Sequence, residues 1–148
     1  MTKALIGAGC FWGIEEYYRK INGITDTKVG YSGGHKLNPT YEDVCTGSTE
    51  HAEVVEITFD NKIISYEKII DNFWLCHDPT QLNRQGPDVG RQYRSIIFFY
   101  SEEQKKIALK SKKAKQNLLS NTIVTEIFLA QNFYLAEEYH QLFIKKRG

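Results

Sequence analysis

A short apolar segment is followed at once by an amphipathic one near the amino terminus. Residues 4–8 are apolar or glycine, whereas residues 14–21 carry apolar side chains at helical spacing. The first pattern is typical of a buried strand and the second of a helix. Between them lies Cys10, with Gly9 and Gly13 close on either side. The sequence therefore predicts a tight strand-to-helix turn that contains a cysteine.

The position of Cys10 has chemical consequences. The first N–H groups of a helix have no intrahelical partner and carry the positive end of the helix dipole, so they lower the pKa of a nearby thiol. A thiolate at this turn is a nucleophile, and Phe11 and Trp12 directly after it can wall a small apolar pocket. The alternative interpretation is an inert cysteine buried at a tight turn.

Composition narrows the class of protein. A chain of 148 residues with 41% hydrophobic content suits one globular domain over residues 1–148. A formal net charge of +1 gives no field that attracts nucleic acid or an anionic membrane. No segment approaches the roughly 20 apolar residues of a membrane span, and no cleavage-type signal is recognised. We expect a cytoplasmic monomer with neither nucleic acid nor membrane as a partner.

The three cysteines, an odd number, do not indicate a disulfide framework. Cys10, Cys45 and Cys76 lie far apart in the sequence, and no Cys-x-x-Cys pair exists. Free thiols in a reducing compartment fit this spacing better than a structural metal site. We expect no metal and no cofactor.

The rest of the chain alternates between periodic and turn-rich segments. Residues 52–59 alternate as a strand does, and Ser65 is an N-cap candidate for a helix that ends before Asp78. Ser101 and Gln104 form a capping-box pattern before a lysine-rich helix. Further strands are predicted at 27–31, 93–100 and 122–130, a final helix at 136–145, and irregular segments at 32–49 and 78–92.

The resulting order is β-α-β-β-α-β-α-β-α, which predicts a single α+β domain. Its first part is typical of a ferredoxin-like split β-α-β core. The two long irregular segments are candidate active-site loops, since loops of this length are usually functional or disordered. They can meet over the turn at Cys10.

Glu53 starts the strand over residues 52–59 on its more apolar face. Burial raises the pKa of a carboxyl group, so a glutamate in this position can stay protonated at neutral pH and act as a proton donor. The alternative from sequence chemistry is an ion pair with a basic residue such as Arg94.

The segment Gly-Cys-Phe-Trp-Gly at residues 9–13 resembles the signature of A-type peptide methionine sulfoxide reductases, which reduce the S epimer of methionine sulfoxide. The resemblance covers nearly the whole chain, from Lys3 to about Phe143, and implies the same kind of core. A collinear series of motifs is far more specific than one short motif. Further blocks follow in order at residues 29–34, 38–47, 51–55, 73–74, 77–81, 84–86, 88–90 and 92–95.

The resemblance assigns the two central roles. Cys10 attacks the sulfoxide sulfur and becomes a sulfenic acid, while Glu53 protonates the oxygen that leaves the substrate. His51 precedes Glu53 by two residues and is expected to be structural, with an auxiliary effect on the Cys10 thiol as the alternative.

The resemblance also places five residues at the substrate. Tyr41 and Tyr93 would donate hydrogen bonds to the sulfoxide oxygen, whereas ordinary packing near the surface is the alternative for each. Phe11 and Trp12 would hold the methyl group, and their alternative is ordinary core. Asp88 would orient a tyrosine or a water molecule; otherwise it is a turn residue between glycines.

Many members of the family carry recycling cysteines in a carboxyl-terminal tail, but this sequence has no cysteine after Cys76. We therefore expect an external thiol reductant, which is a glutaredoxin, a thioredoxin or glutathione. A longer native chain or a fusion partner that supplies the thiol is an alternative, as is a resolving role for Cys45 or Cys76.

Two other classes of function remain open from the sequence. In a cysteine-based redox sensor, peroxide would oxidise Cys10 and change the partners of the protein. In a non-catalytic binder, aromatic side chains would form a cage for a methylated cation.

Overall fold

The computed structural model describes residues 2–147, which form a mixed sheet with helices. The elements in chain order are β1 (Thr2–Ala8), α1 (Phe11–Arg19), β2 (Ile24–Ser32), α2 (Tyr41–Cys45), β3 (Ala52–Phe59), α3 (Tyr66–Leu75), β4 (Arg84–Gln85), β5 (Asp88–Val89), β6 (Ser95–Phe99), α4 (Glu102–Gln116), β7 (Glu126–Leu129), β8 (Tyr134–Leu135) and α5 (Phe143–Arg147). Short 3₁₀ helices lie at Arg91–Tyr93 and Glu138–His140.

The main sheet has six strands in the order β7-β6-β1-β3-β2-β8. Strand β3 lies between β1 and β2 and is antiparallel to both, so β1, α1 and β2 form a split β-α-β unit. Strand β6 completes the four-stranded core on the other side of β1. Strand β7 is parallel to β6 because α4 carries the chain across between them. The predicted α+β class with a ferredoxin-like core is confirmed.

The two faces of the sheet are covered differently. Ile6 and Val55 point to the face on which α1, α3 and α4 pack, and they belong to the larger apolar cluster. Leu5 and Val54, their neighbours in sequence, point to the other face and join a smaller cluster, which contains no helical residue within residues 2–147. Glu53 shares the face of Val55, as the alternation of the strand predicts. The helix-covered face therefore contains a carboxyl group.

Two predicted helix starts are correct. The Ser65 hydroxyl accepts a hydrogen bond from the Lys68 N–H group, and the Ser101 hydroxyl accepts one from the Gln104 N–H group. The second half of the expected capping box differs, because the side-chain amide oxygen of Gln104 accepts the N–H of Tyr100 and not that of Ser101. Gln104 thus connects the start of α4 to the end of β6.

The helix predicted over residues 136–145 is wrong over residues 136–142 and correct only from Phe143 onward. Residues 136–142, which we call the strap, lie against the edge of β2, and α5 begins only at Phe143. The Gln141 amide accepts the Val29 N–H and donates to the Val29 carbonyl, both at 2.9 Å. This side chain therefore replaces a strand residue in the ladder, and a helix through it would break both bonds.

The other differences are smaller. The irregular segment at 32–49 contains the short helix α2, and the strand predicted at 122–130 is limited to β7. Over residues 2–147, no helix has both the length and the apolar character needed to cross a bilayer.

Candidate active site

Cys10 occupies the N-cap position of α1, and only Gly9 separates it from the end of β1, so the predicted strand-to-helix turn is confirmed. Gly9 turns the chain with a φ of 105°, a conformation that L side chains rarely adopt. A Cβ atom at Gly9 would also lie 3.0 Å from the side chain of Gln85. The glycine therefore allows the second irregular segment to approach the thiol.

The pKa of the Cys10 thiol differs from the expectation. Burial raises the pKa of Cys10 to about 11, and the charges of Glu53 and Asp88 raise it as well. The backbone N–H groups of Trp12 and Gly13 lower it, as predicted for a helix start, but burial outweighs them. The resting side chain is a thiol, so the thiolate has to form during the reaction.

Glu53 lies beside this turn and is 1% exposed. Its Oε1 atom accepts the Phe11 N–H at 3.2 Å, whereas its Oε2 atom has no hydrogen-bond partner among the described residues. Burial raises the pKa of Glu53 to about 8, against the lowering effect of the Phe11 N–H. The alternative pairing with Arg94 is wrong, because that guanidinium binds Glu126 at 2.8 Å. Burial thus favours the protonated form of Glu53 near neutral pH.

Two tyrosines from different parts of the chain lie near Glu53. Tyr41 is the first residue of α2, and Tyr93 ends the 3₁₀ helix before β6, not the strand predicted there. Burial raises the pKa of Tyr93 to about 12, and the charge of Glu53 adds to the effect. Burial and the neighbouring Cys45 side chain also raise the pKa of Tyr41. Both phenols therefore keep their protons and can donate hydrogen bonds.

Asp88 lies on β5 in the second irregular segment, where it pairs with Gln85. Its charge raises the pKa of Cys10, of Glu53 and of Tyr93. The structure thus places Asp88 in the same group of side chains as these three.

The two aromatic residues after Cys10 differ in exposure. Phe11 is 1% exposed and packs against the ring of Tyr31, with the ring centres 5.8 Å apart. Trp12 is only partly buried and stacks on Phe143, with ring centres 3.9 Å apart. Phe11 is therefore part of the core, and Trp12 is the ring that remains accessible.

The strap contributes residues that the sequence analysis did not identify. The Glu137 carboxylate accepts the Tyr31 hydroxyl and the Tyr41 N–H, both at 2.9 Å, so it holds the start of α2 against β2. His140 is fully buried, and its Nδ1 atom accepts the indole N–H of Trp12 at 2.9 Å. No sequence signal distinguished Glu137 and His140 from the polar face of the expected helix.

His51 has the structural role expected of it. Its Nδ1 atom accepts the Gly34 N–H at 2.9 Å, and its Nε2 atom bonds to the Lys36 carbonyl at 2.7 Å. Both ring nitrogens are therefore engaged by the loop after β2.

The other two cysteines have different surroundings. Cys45 is exposed at the end of α2, whereas the Cys76 thiol donates to the Phe73 carbonyl and burial raises its pKa to about 12. All three cysteines are free. Within residues 2–147, no three His, Cys, Asp or Glu side chains are grouped as metal ligands would be.

Known proteins resemble this chain in sequence and in fold. A family model described as peptide methionine sulfoxide reductase matches residues 2–148. The peptide methionine sulfoxide reductase MsrA of Methanothermobacter thermautotrophicus is 56% identical over 146 residues, which are 97% of this chain and 86% of that protein. Reduced Mxr1 from Saccharomyces cerevisiae superposes with a TM-score of 0.93 at 41% identity, over 98% of this chain and 84% of that one.

A second structure of the yeast protein shows it in complex with Trx2. That chain superposes with a TM-score of 0.68 at 31% identity, over 94% of this chain and 83% of that one. The family match spans the described residues, and the similarity in sequence and in fold extends over nearly the whole chain. The chain therefore belongs to the peptide methionine sulfoxide reductase family and is an oxidoreductase.

Proposed function

We propose that this protein reduces the S epimer of methionine sulfoxide, in proteins and as the free amino acid, with Cys10 as nucleophile and Glu53 as acid. One observation carries the proposal. A buried carboxyl lies beside the Cys10 turn, with one oxygen held by the Phe11 N–H and the other unpaired among the described residues, and burial raises its pKa to about 8. This arrangement leaves an acidic proton available to a substrate oxygen.

The reaction balances without any cofactor. The Cys10 sulfur bonds to the sulfoxide sulfur as Glu53 protonates the sulfoxide oxygen, and Glu53 recovers a proton from the thiol. The oxygen then passes to Cys10, and methionine leaves. The substrate sulfur gains two electrons, and Cys10 loses two as it becomes a sulfenic acid.

The remaining site residues act on the substrate. Tyr41 and Tyr93 donate hydrogen bonds to the sulfoxide oxygen as negative charge develops on it. Phe11 and Trp12 form the apolar wall for the methyl group, with Trp12 as its accessible part. Asp88 orients a tyrosine or a water molecule. The apolar wall lies on one side of the pocket and the proton donors lie on the other. Only one epimer can place its methyl group at the wall and its oxygen at the donors while its sulfur faces Cys10.

An external thiol completes the cycle. It attacks the sulfenic acid of Cys10 and releases water, and a second thiol then frees Cys10 from the mixed disulfide. The yeast relative in complex with Trx2 supports a thioredoxin as this reductant, with a glutaredoxin or glutathione as alternatives. The Cys76 thiol is held by its hydrogen bond to the Phe73 carbonyl, and burial raises its pKa, so it is poorly suited to resolve a sulfenic acid and an external reductant is favoured. A reducing compartment such as the cytoplasm suits three free cysteines.

The redox sensor receives less support. A sensor cysteine reacts with peroxide as an exposed thiolate of low pKa, whereas burial raises the pKa of Cys10. The aromatic cage for a cation is also disfavoured, because it gives no role to the Cys10 thiol or to the buried carboxyl of Glu53 beside it.

The test is anaerobic reduction of each sulfoxide epimer with a dithiol present. We expect Cys10→Ser to abolish turnover of the S epimer, while Cys45→Ser and Cys76→Ser retain most of it. The R epimer should not be reduced. Multiple turnovers by purified Cys10→Ser, or equal turnover of both epimers, would overturn the proposal.

The intact mass of the enzyme tests whether the sulfenic acid is reduced by an external thiol or by an internal cysteine. After one equivalent of sulfoxide without a thiol, a sulfenic acid adds about 16 Da to the enzyme, whereas an internal disulfide removes about 2 Da. We expect the heavier product. If the lighter product forms and Cys45→Ser or Cys76→Ser prevents it, that cysteine resolves the sulfenic acid and the external thiol acts only afterwards.

A further inference from the structure

His140 is fully buried among the rings of the candidate site. Its ring centre lies 5.2 Å from that of Phe11, 5.5 Å from that of Trp12 and 4.5 Å from that of Tyr41. It reaches this position from the strap, 128 residues after Trp12 in the sequence. A residue so distant in sequence is therefore packed directly against the apolar wall of the pocket.

The hydrogen bond to Trp12 defines the state of the His140 ring. An indole N–H is a donor only, so the Nδ1 atom that it meets at 2.9 Å has to be an acceptor without a proton. The proton of the neutral ring is then on Nε2. Burial lowers the pKa of His140, although the charge of Glu137 opposes this, so the neutral ring is favoured.

The Nε2 atom has no hydrogen-bond partner among the described residues and is buried. A buried N–H group without a partner costs free energy, so an apolar side chain would fill this space at a lower cost. An apolar side chain, however, could not accept the hydrogen bond that Nδ1 accepts from Trp12. The imidazole is thus explained by its bond to Trp12 and not by packing alone.

Two contacts together fix the orientation of the Trp12 indole. Trp12 stacks on Phe143 with an interplanar angle of 8°, which fixes the plane of the ring. The bond to His140 fixes the rotation of the indole within that plane, because the N–H has to point at Nδ1. Both partners come from the carboxyl-terminal part of the chain.

We propose that His140 is a positioning residue that orients the indole of Trp12 as the wall for the sulfoxide methyl group. The proposal rests on the proposed function, since it assigns the wall to sulfoxide binding. A wall of this kind contacts the substrate equally before and during the reaction, so its loss raises KM more than it lowers kcat.

The first test compares two substitutions at one position. His140→Leu removes the acceptor but keeps a similar volume, and we expect a KM for the S epimer about tenfold higher, with kcat and the alkylation rate of Cys10 little changed. His140→Asn retains a side-chain acceptor close to the position of Nδ1 and should keep KM within about twofold. Equal defects in the two variants would overturn the proposal.

The second test removes the donor. Trp12→Phe lacks the indole N–H, so His140→Leu should raise KM no further in that background. If the two substitutions raise KM independently, His140 does not act through Trp12 and the proposal fails.

The third test does not depend on activity, because the chain has only two tryptophans. The indole N–H of Trp74 donates to the Ser111 hydroxyl at 2.7 Å and serves as an internal control. In His140→Leu the indole proton of Trp12 should exchange faster by NMR while that of Trp74 is unchanged. In Ser111→Ala the reverse is expected, with KM unaltered.

The outcomes separate the two proposals. Unchanged exchange at Trp12 in His140→Leu, or equal loosening of both indoles, would overturn the positioning role even if the wild-type protein reduces sulfoxides. A wild-type protein that reduces no sulfoxide would overturn the proposed function, whatever the exchange rates are.

Discussion

Two carboxyl groups, Glu15 and Glu53, are each 1% exposed, but their surroundings differ. The Glu15 oxygens accept the Thr27 hydroxyl at 2.8 Å and the Leu142 N–H at 2.7 Å, so both are paired. Glu53 pairs one oxygen with the Phe11 N–H and leaves the other free. Burial raises the pKa of both groups. Hydrogen-bond satisfaction, and not burial, therefore distinguishes the structural carboxyl from the one available for chemistry.

The largest contrast is expected from one substitution made at both positions. Glu53→Gln should lower kcat/KM by about 10²–10⁴-fold, because an amide cannot supply an acidic proton. Glu15→Gln should stay close to wild-type activity, since its amide still accepts from Leu142 and can donate to Thr27. Steady-state kinetics on the S epimer measures both. Similar losses in the two variants would remove the distinction between these carboxyls.

A pH profile sharpens the role of Glu53. The wild-type kcat/KM should be flat below the pKa of about 8 and fall about tenfold per pH unit above it, because the acid loses its proton. Glu53→Gln should lack this decline. If kcat/KM instead rises through pH 8, the reactive enzyme has lost a proton. Cys10 would then react as a thiolate that is already formed, and Glu53 would not be the acid.

Glu15→Leu is expected to affect stability more than activity. This change leaves the Thr27 hydroxyl and the Leu142 N–H without their buried acceptor, so we expect a loss of about 1–3 kcal/mol in the free energy of unfolding. Urea denaturation measures the loss, and kcat/KM of the folded variant should fall far less than in Glu53→Gln. An unaltered midpoint would show that pairing at Glu15 contributes nothing to stability.

Features set by a few neighbouring residues were predictable from the sequence. Ser65 and Ser101 cap their helices because a serine hydroxyl pairs with an N–H three residues later whatever the rest of the fold does. The face of Glu53 followed from the two-residue period of a strand. Cys10 lies at its predicted turn for the same kind of local reason.

Features set by distant contacts were not predictable. Residues 136–142 have a helical pattern, but the bonds of Gln141 to Val29 hold them as the strap. Helix α2 is too short to show a period, although Thr40 and Asp43 form a capping box before it. The pKa of Cys10 depends on burial by other segments, which its position at a helix start does not reveal.

The strap also bears on how the protein is made. Its contacts to Trp12, Val29 and Tyr41 close sequence separations of 128, 112 and 96 residues, so much of the chain has to be ordered before they form. During synthesis the strands of the core leave the ribosome well before the strap does. A nascent chain can therefore hold Cys10 and Glu53 on a folded sheet while Trp12 still lacks its partner, and the proposed wall for the methyl group is complete only when the strap docks.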